Sequence, residues 1–167
     1  MEYEIADISD VPRIVSLFLK CWKISYSDVL SQQARDDMSA EKATELWKSA
    51  ASNIERKTIL ALNNGVFVGF FRIGRDPVNF ERGHLFSLYI SPDFAGKGFG
   101  QQLLQEAIRI TVNEEITEMS LWVFDDNKIA KSLYSKRGFV ATGKQKITPG
   151  WNAVEIEMLN RNITSQS

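Results

Sequence analysis

The sequence predicts an α+β domain built on a mixed, largely antiparallel sheet. Three observations carry that expectation. The apolar spacing changes repeatedly between helical and strand periods, Asn63-Asn64-Gly65 separates two β-rich runs, and a glycine-rich segment at 96–100 joins a strand to a helix. A length of 167 residues suits one domain, taken as 1–160 with a polar C-terminal tail at 161–167. No linker, internal repeat or low-complexity stretch interrupts it.

Residues 3–6 (Tyr-Glu-Ile-Ala) alternate and read as a short strand. Asp10 stands as an N-cap before Val11-Pro12, and Ile14, Val15, Leu17, Phe18 and Cys21-Trp22 recur at helical spacing to about Trp22. Tyr26 to Asp37 is polar and irregular. Ser39 caps a second helix with Ala43, Leu46, Trp47 and Ala50 on its apolar stripe. Thr58 to Leu62 and Val66 to Ile73 form a hairpin across Asn64-Gly65, because that pair favours the positive φ values of a tight hairpin turn. Leu85 to Ile90 is the next strand, ended by Ser91-Pro92. The glycine loop then opens a helix with Leu103, Leu104, Ala107 and Ile108 on one face. Met119 to Phe124 follows as a strand, and Asp125-Asp126-Asn127 caps a helix to about Arg137, stopped by Gly138. Val140 to Ile147 and Ala153 to Leu159 close the chain around a Pro149-Gly150 turn, giving the order β-α-α-β-β-β-α-β-α-β-β.

Composition narrows the function. Lys plus Arg total 20 against 21 Asp plus Glu, and each half of the chain is balanced, which argues against a nucleic-acid partner. One cysteine, Cys21, and one histidine, His84, leave no disulfide framework and no ordinary transition-metal site, so no metal is expected. The acidic N-terminus has no signal-peptide character and the most apolar window, 65–73, is too short for a bilayer. The expectation is therefore a cytoplasmic protein without a membrane partner. One local imbalance stands out: Lys128, Lys131, Lys136, Arg137, Lys144 and Lys146 lie between Asn127 and Val154 with no Asp or Glu.

The sharpest chemical signal is Leu88-Tyr89-Ile90-Ser91-Pro92-Asp93-Phe94-Ala95-Gly96-Lys97-Gly98-Phe99-Gly100-Gln101. Amides freed of side-chain obstruction at a helix N-terminus make a cradle for phosphate or pyrophosphate. A tight strand-to-helix turn is the purely structural alternative. The spacing fits neither the P-loop nor the dinucleotide fingerprint. It resembles the acetyl-CoA-binding motif of the GCN5-related N-acetyltransferase (GNAT) superfamily: Arg/Gln-x-x-Gly-x-Gly/Ala between a strand and a helix. Gly98 and Gly100 occupy the glycine positions, whereas Ala95 replaces the usual Arg or Gln. Asn127, Ala130, Leu133-Tyr134 and Gly138-Phe139 are similar to a later motif of the same superfamily.

That resemblance implies a GNAT-like fold and acetyl-CoA as co-substrate, held in a V-shaped opening between strands ending near Ile90 and Phe124. It implies backbone contacts from Leu88, Tyr89 and Ile90, and a pyrophosphate cradle at Ala95, Gly96, Lys97, Gly98, Phe99, Gly100 and Gln101. Asn127 and Lys131 are expected beside the cofactor. A small-molecule or peptide amine attacks the thioester directly, and Tyr134 protonates the leaving thiolate. Neutralising a lysine-like amine at pH 7 costs roughly 4–5 kcal/mol, and His84, or Glu81 through a water, are the candidate bases. Trp22, Tyr26, Phe86 and Trp122 are candidates for the acceptor pocket, although each also reads as core. Many members of the superfamily dimerise, and the sequence leaves a homodimer open. The alternative to an N-acetyltransferase is a non-catalytic acyl-CoA-binding sensor or structural subunit of the same fold.

Overall fold

A computed structural model describes residues 1–164; residues 165–167, the end of the expected tail, lie outside the described residues. The strands are β1 (Glu2–Ile5), β2 (Arg56–Asn63), β3 (Val66–Arg75), β4 (Gly83–Ile90), β5 (Met119–Phe124), β6 (Val140–Ile147) and β7 (Val154–Asn160). They form one seven-stranded sheet in the order β1-β2-β3-β4-β5-β7-β6, antiparallel everywhere except between β4 and β5. The helices are α1 (Val11–Ile24), α2 (Gln32–Asp37), α3 (Ala40–Ala51), α4 (Phe99–Asn113) and α5 (Lys128–Ser135). The expected α+β class holds, and no helix among the described residues is long and apolar enough to cross a membrane.

Strand alternation divides the core into two layers. One face of the sheet supplies Ile59, Val68, Phe71, Leu85 and Leu121 to a cluster with Leu103, Leu104 and Ile108 of α4 and Tyr134 of α5. The opposite face supplies Leu60, Leu62, Phe70 and Phe124 to a cluster with Phe18 and Trp22 of α1 and Trp47 of α3. Within the segment expected as a polar tail, Ile163 is buried, and its N–H donates to the Thr117 carbonyl at 2.8 Å.

Several local signals act as their chemistry requires. Asn64 and Gly65 take φ of +51° and +76°, the pair of positive values that a tight hairpin needs. Ser39 Oγ accepts from the Lys42 N–H at 3.1 Å and starts α3. Gly138 has φ +83° just beyond α5, which ends at Ser135 rather than at the expected Arg137.

Two expectations need correction. Asp10 makes no side-chain cap on α1; its Oδ2 accepts from the Asp7 N–H at 2.8 Å, closing a capping box over a 3₁₀ turn, Ile8–Asp10. The inserted turn moves the capping role to Asp7. The stretch expected to be irregular contains α2, capped by Ser31 and anchored by buried Ala34, so three helices separate β1 from β2. Six residues are too few for apolar periodicity to reveal such a helix.

One position fixes how closely β3 and β4 approach. A Cβ on Gly69 would stand 2.4 Å from the Tyr89 carbonyl oxygen, a backbone contact that no rotamer change relieves. Gly69→Ala is expected to cost about 2–4 kcal/mol of stability, read as a lower urea midpoint. An unchanged midpoint would contradict this close approach.

Candidate active site

The parallel pairing of β4 with β5 is short: Gly83 opposes Met119, His84 opposes Ser120 and Leu85 opposes Leu121. Beyond Leu85 the strands no longer pair, while β4 continues against β3 as far as Ile90 and β5 against β7 as far as Phe124. A wedge therefore opens between Phe86–Ile90 and Trp122–Phe124. It holds a cavity of about 250 Å³ whose wall includes Leu88, Tyr89, Asn127 and Tyr134. Trp22, Tyr26, Phe86 and Trp122 line the same cavity.

Aromatic edges shape this wall. Trp22 meets Tyr26 at 5.4 Å and Trp151 at 5.2 Å, and Tyr26 meets Phe124 at 5.5 Å, all close to perpendicular. Tyr134 comes from α5, where Asn127 Oδ1 accepts the Ala130 N–H at 3.1 Å. The phenol is 7 % exposed, and burial raises its pKa well above the usual tyrosine value, so it remains a proton donor. Burial likewise keeps Tyr26 and Tyr89 protonated.

The glycine loop lies past the open end of β4. Gly96 and Gly98 take φ of +75° and +82°, and a Cβ on either would meet no atom within 4 Å. Gly98 is the N-cap of α4 and has no side chain to close it; the first return bond runs from the Gln102 N–H to the Gly98 carbonyl at 3.3 Å. The preceding amides of the first turn have no partner within the helix. A Cβ on Gly100 would lie 3.6 Å from Leu133 and 4.0 Å from Ile90, which seats the loop between α5 and the end of β4. This combination of unobstructed amides and a helix dipole fits the diphosphate of a nucleotide-bearing thioester.

The expected basic groups have other partners. Lys97 Nζ donates to the Asp93 carbonyl at 3.2 Å, and Lys131 pairs with Asp125 at 2.8 Å. Gln101 Oε1 accepts from Arg137 Nε at 2.9 Å, tying the start of α4 to the end of α5.

Neither candidate base is on the cavity wall. Glu81 is exposed in the loop between β3 and β4. His84 lies in a buried polar cluster at the closed end of the wedge. There Asp76 Oδ2 accepts from Ser120 Oγ at 2.5 Å and from Arg82 Nε at 2.7 Å, while His84 Nδ1 lies 2.7 Å from Ser120 Oγ. Ser120 gives its one proton to Asp76, so His84 Nδ1–H is the donor to Ser120. Burial drives the His84 pKa down to about 4 despite the nearby Asp76 charge. Burial works to raise the Asp76 pKa, but hydrogen bonds from Ser120, the Val78 amide and Arg82 outweigh it and hold the carboxyl at about 2. The cluster fixes strands; it does not face the cavity.

Sequence reasoning missed Arg72, Trp47, Trp151 and Glu155, all on the cavity wall. A signal was present for the charged pair. Arg72 interrupts the run Phe70-Phe71-Arg72-Ile73, and Glu155 and Glu157 alternate with apolar residues on one face of β7. Thr148 Oγ1 donates to Glu155 Oε2 at 2.5 Å, and Glu155 is opposite Phe124 at the open end of β5.

A family model described as the Acetyltransferase (GNAT) family matches residues 12–139. The chain belongs to that family. It is similar to a spermidine N(1)-acetyltransferase of Thermoplasma acidophilum, 26% identical over 144 residues that cover 83% of this chain and 88% of that one. A putative phosphinothricin acetyltransferase of Bacillus subtilis is 42% identical over 57 residues, or 34% of this chain and 35% of that protein. The crystal structure of a PaiA N-acetyltransferase from Thermoplasma acidophilum, in complex with coenzyme A, superposes with a TM-score of 0.71 at 25% identity, covering 96% of this chain and 99% of the other. This GNAT member is thus an acyltransferase with the wedge, loop and aromatic cavity described above.

The closed-end cluster has a consequence for stability. An unfolded histidine takes up a proton near pH 6.5, whereas folded His84 refuses it until about pH 4. Between those values the unfolded state binds more protons, so stability is lost as the pH falls through this window. The loss reaches on the order of 3 kcal/mol. Urea midpoints measured from pH 7 to pH 4 should fall accordingly, and His84→Gln should flatten the slope. A wild-type profile already flat above pH 4 would contradict the assignment.

Proposed function

We propose that this protein transfers the acetyl group of acetyl-CoA to the primary amine of a small acceptor, by direct attack within a ternary complex. The observation that carries this reading is the wedge: a single cavity at the splay of β4 and β5 whose wall bears a buried, protonated Tyr134 and one carboxylate, Glu155. The family match and the coenzyme A complex of a relative support the co-substrate.

Bound in the wedge, acetyl-CoA supplies an activated acyl group as a thioester. The amides of the loop from Gly96 to Gln101 hold its diphosphate, the Ala95 N–H being taken by the Pro92 carbonyl. Edge groups of β4 around Leu88 receive the pantetheine arm, the Ile90 carbonyl accepting from Cys21 Sγ at 3.1 Å. Because loop amides rather than side chains make these contacts, Ala95 at the first motif position is compatible with binding. The acceptor amine sits against the aromatic wall, where Glu155 orients it and takes its proton, directly or through water. The amine nitrogen bonds to the carbonyl carbon as the carbon–sulfur bond breaks. Tyr134 Oη hydrogen-bonds the departing sulfur and gives it the proton that burial keeps on the phenol until the thiolate forms. Glu155 replaces His84 and Glu81 in this scheme because it alone among the three lines the cavity.

The test is release of CoA thiol from acetyl-CoA across a panel of amines. Tyr134→Phe should lower kcat roughly 100-fold with little change in the KM for acetyl-CoA; unchanged turnover removes Tyr134 as the acid. Glu155→Gln should depress kcat/KM most at low pH, where fewer amines are free, and an unaltered pH profile would exclude Glu155 as proton acceptor. Tight CoA binding with no turnover on any amine would instead identify a sensor.

A further inference from the structure

The two charged residues of the cavity wall stand on opposite flanks of the wedge. Arg72 on β3 is opposite Ser87 of β4, and Glu155 on β7 is opposite Phe124 of β5. Both line the one cavity. Arg72 lies by Ala50 and the Phe86 ring, and Glu155 is the one acidic side chain on the whole wall.

Arg72 is only partly satisfied there. One guanidinium nitrogen, Nη2, donates to the Ala50 carbonyl at 3.1 Å, and its Nε is buried without an acceptor. It takes part in no ion pair among the described residues. Trp47, on the same wall, is 4 % exposed, and its indole Nε1–H is likewise buried without an acceptor. A second guanidinium, Arg56, covers the Phe86 ring at 4.1 Å and adds like charge. Burial and this Arg56 charge both push the Arg72 pKa down, as expected of a cation lacking its counter-ion.

Unsatisfied buried donors are uncommon, and two among the residues that line one cavity point to an acceptor atom from outside the chain. A guanidinium fork beside an indole N–H suits a carboxylate or another oxyanion of similar size. An oligocationic amine fits poorly, because its second ammonium would meet Arg72 instead of an acid. Resting on the acetyl-transfer reading above, we propose that the acceptor is a small zwitterion, an amine that also carries an oxyanion. Arg72, with Trp47, receives the oxyanion, and Glu155 faces the amine. The aromatic floor between them, from Phe86 to Trp122, accommodates an apolar body.

The experiment uses the full chain with acetyl-CoA and measures thiol release for matched pairs. Phenylalanine, methionine, 4-aminobutyrate and 6-aminohexanoate are each compared with their carboxamides, and spermidine is added as an oligocation. For at least one spacing the acid should exceed its carboxamide in kcat/KM by about 10-fold or more. Arg72→Met should bring that acid down to its carboxamide through KM, and Arg72→Lys should restore part of the difference. Equal turnover of acid and carboxamide at every spacing overturns the proposal, as does a preference for spermidine that survives Arg72→Met. Acetyl transfer itself stands in both cases. Absence of thiol release from every amine, with acetyl-CoA bound, overturns the acetyl-transfer reading and this proposal with it. The acid-to-carboxamide ratio of the unaltered protein decides the matter even where an Arg72 variant does not fold.

Discussion

The rest of the molecule depends on one interrupted pairing. Strands β4 and β5 run parallel for the length of Gly83–Leu85 and then separate: β4 stays on β3 through a register shift that leaves Phe86 unpaired, and β5 stays on β7. The closed end is held by polar contacts that few protein interiors tolerate unless every group is paired. Asp76 collects donors from Ser120, Arg82 and the Val78 and Asn79 amides, and Arg82 reaches Glu157 on β7 at 3.7 Å. This network ties the loop before β4 to β5 and β7. Because the strands are fastened at one end and not at the other, the sheet opens there while each strand keeps its outer partner.

What fills the opening follows from the same arrangement. The face bearing α1 and α3 brings aromatic residues against β4 and β5, where a fully paired sheet would have presented a closed surface. Phe18, Trp22, Trp47 and Tyr89 therefore belong both to the core and to the cavity wall. Their mutual edge contacts hold rotamers in place before a ligand arrives, for example Trp47 against Phe70 at 5.0 Å and Phe18 against Tyr89 at 5.4 Å. Such preorganisation lowers the ordering cost of binding. Trp22 and Tyr26 likewise pack with the core and line the cavity at once: the cavity is the place where the core reaches the wedge.

The cavity's polar groups divide by origin. Tyr134 comes from α5 and Asn127 from its N-cap, on the side of the glycine loop, whereas Arg72 comes from the sheet and Trp47 from α3.

Local chemistry in the sequence was enough at several positions where a residue acts on its own backbone, though not at Asp10, whose capping role falls to Asp7. Asn64-Gly65 dictates its hairpin, Ser39 its helix start, and Gly98 an unobstructed helix N-terminus, because positive φ and capping bonds are settled within a few residues. The two motifs, from Leu88 to Gln101 and from Asn127 to Phe139, likewise led to the family, and the second contains Tyr134 of the cavity wall. Tertiary structure alone decided what depends on residues far apart in the chain. It paired His84 with Ser120, 36 positions away, and so turned the one histidine from a candidate base into a buried, uncharged donor. It also placed Arg72 and Glu155 on two flanks of one cavity. A side chain's charge state and partners are set by burial and by through-space neighbours, and neither is written in the order of residues along the chain.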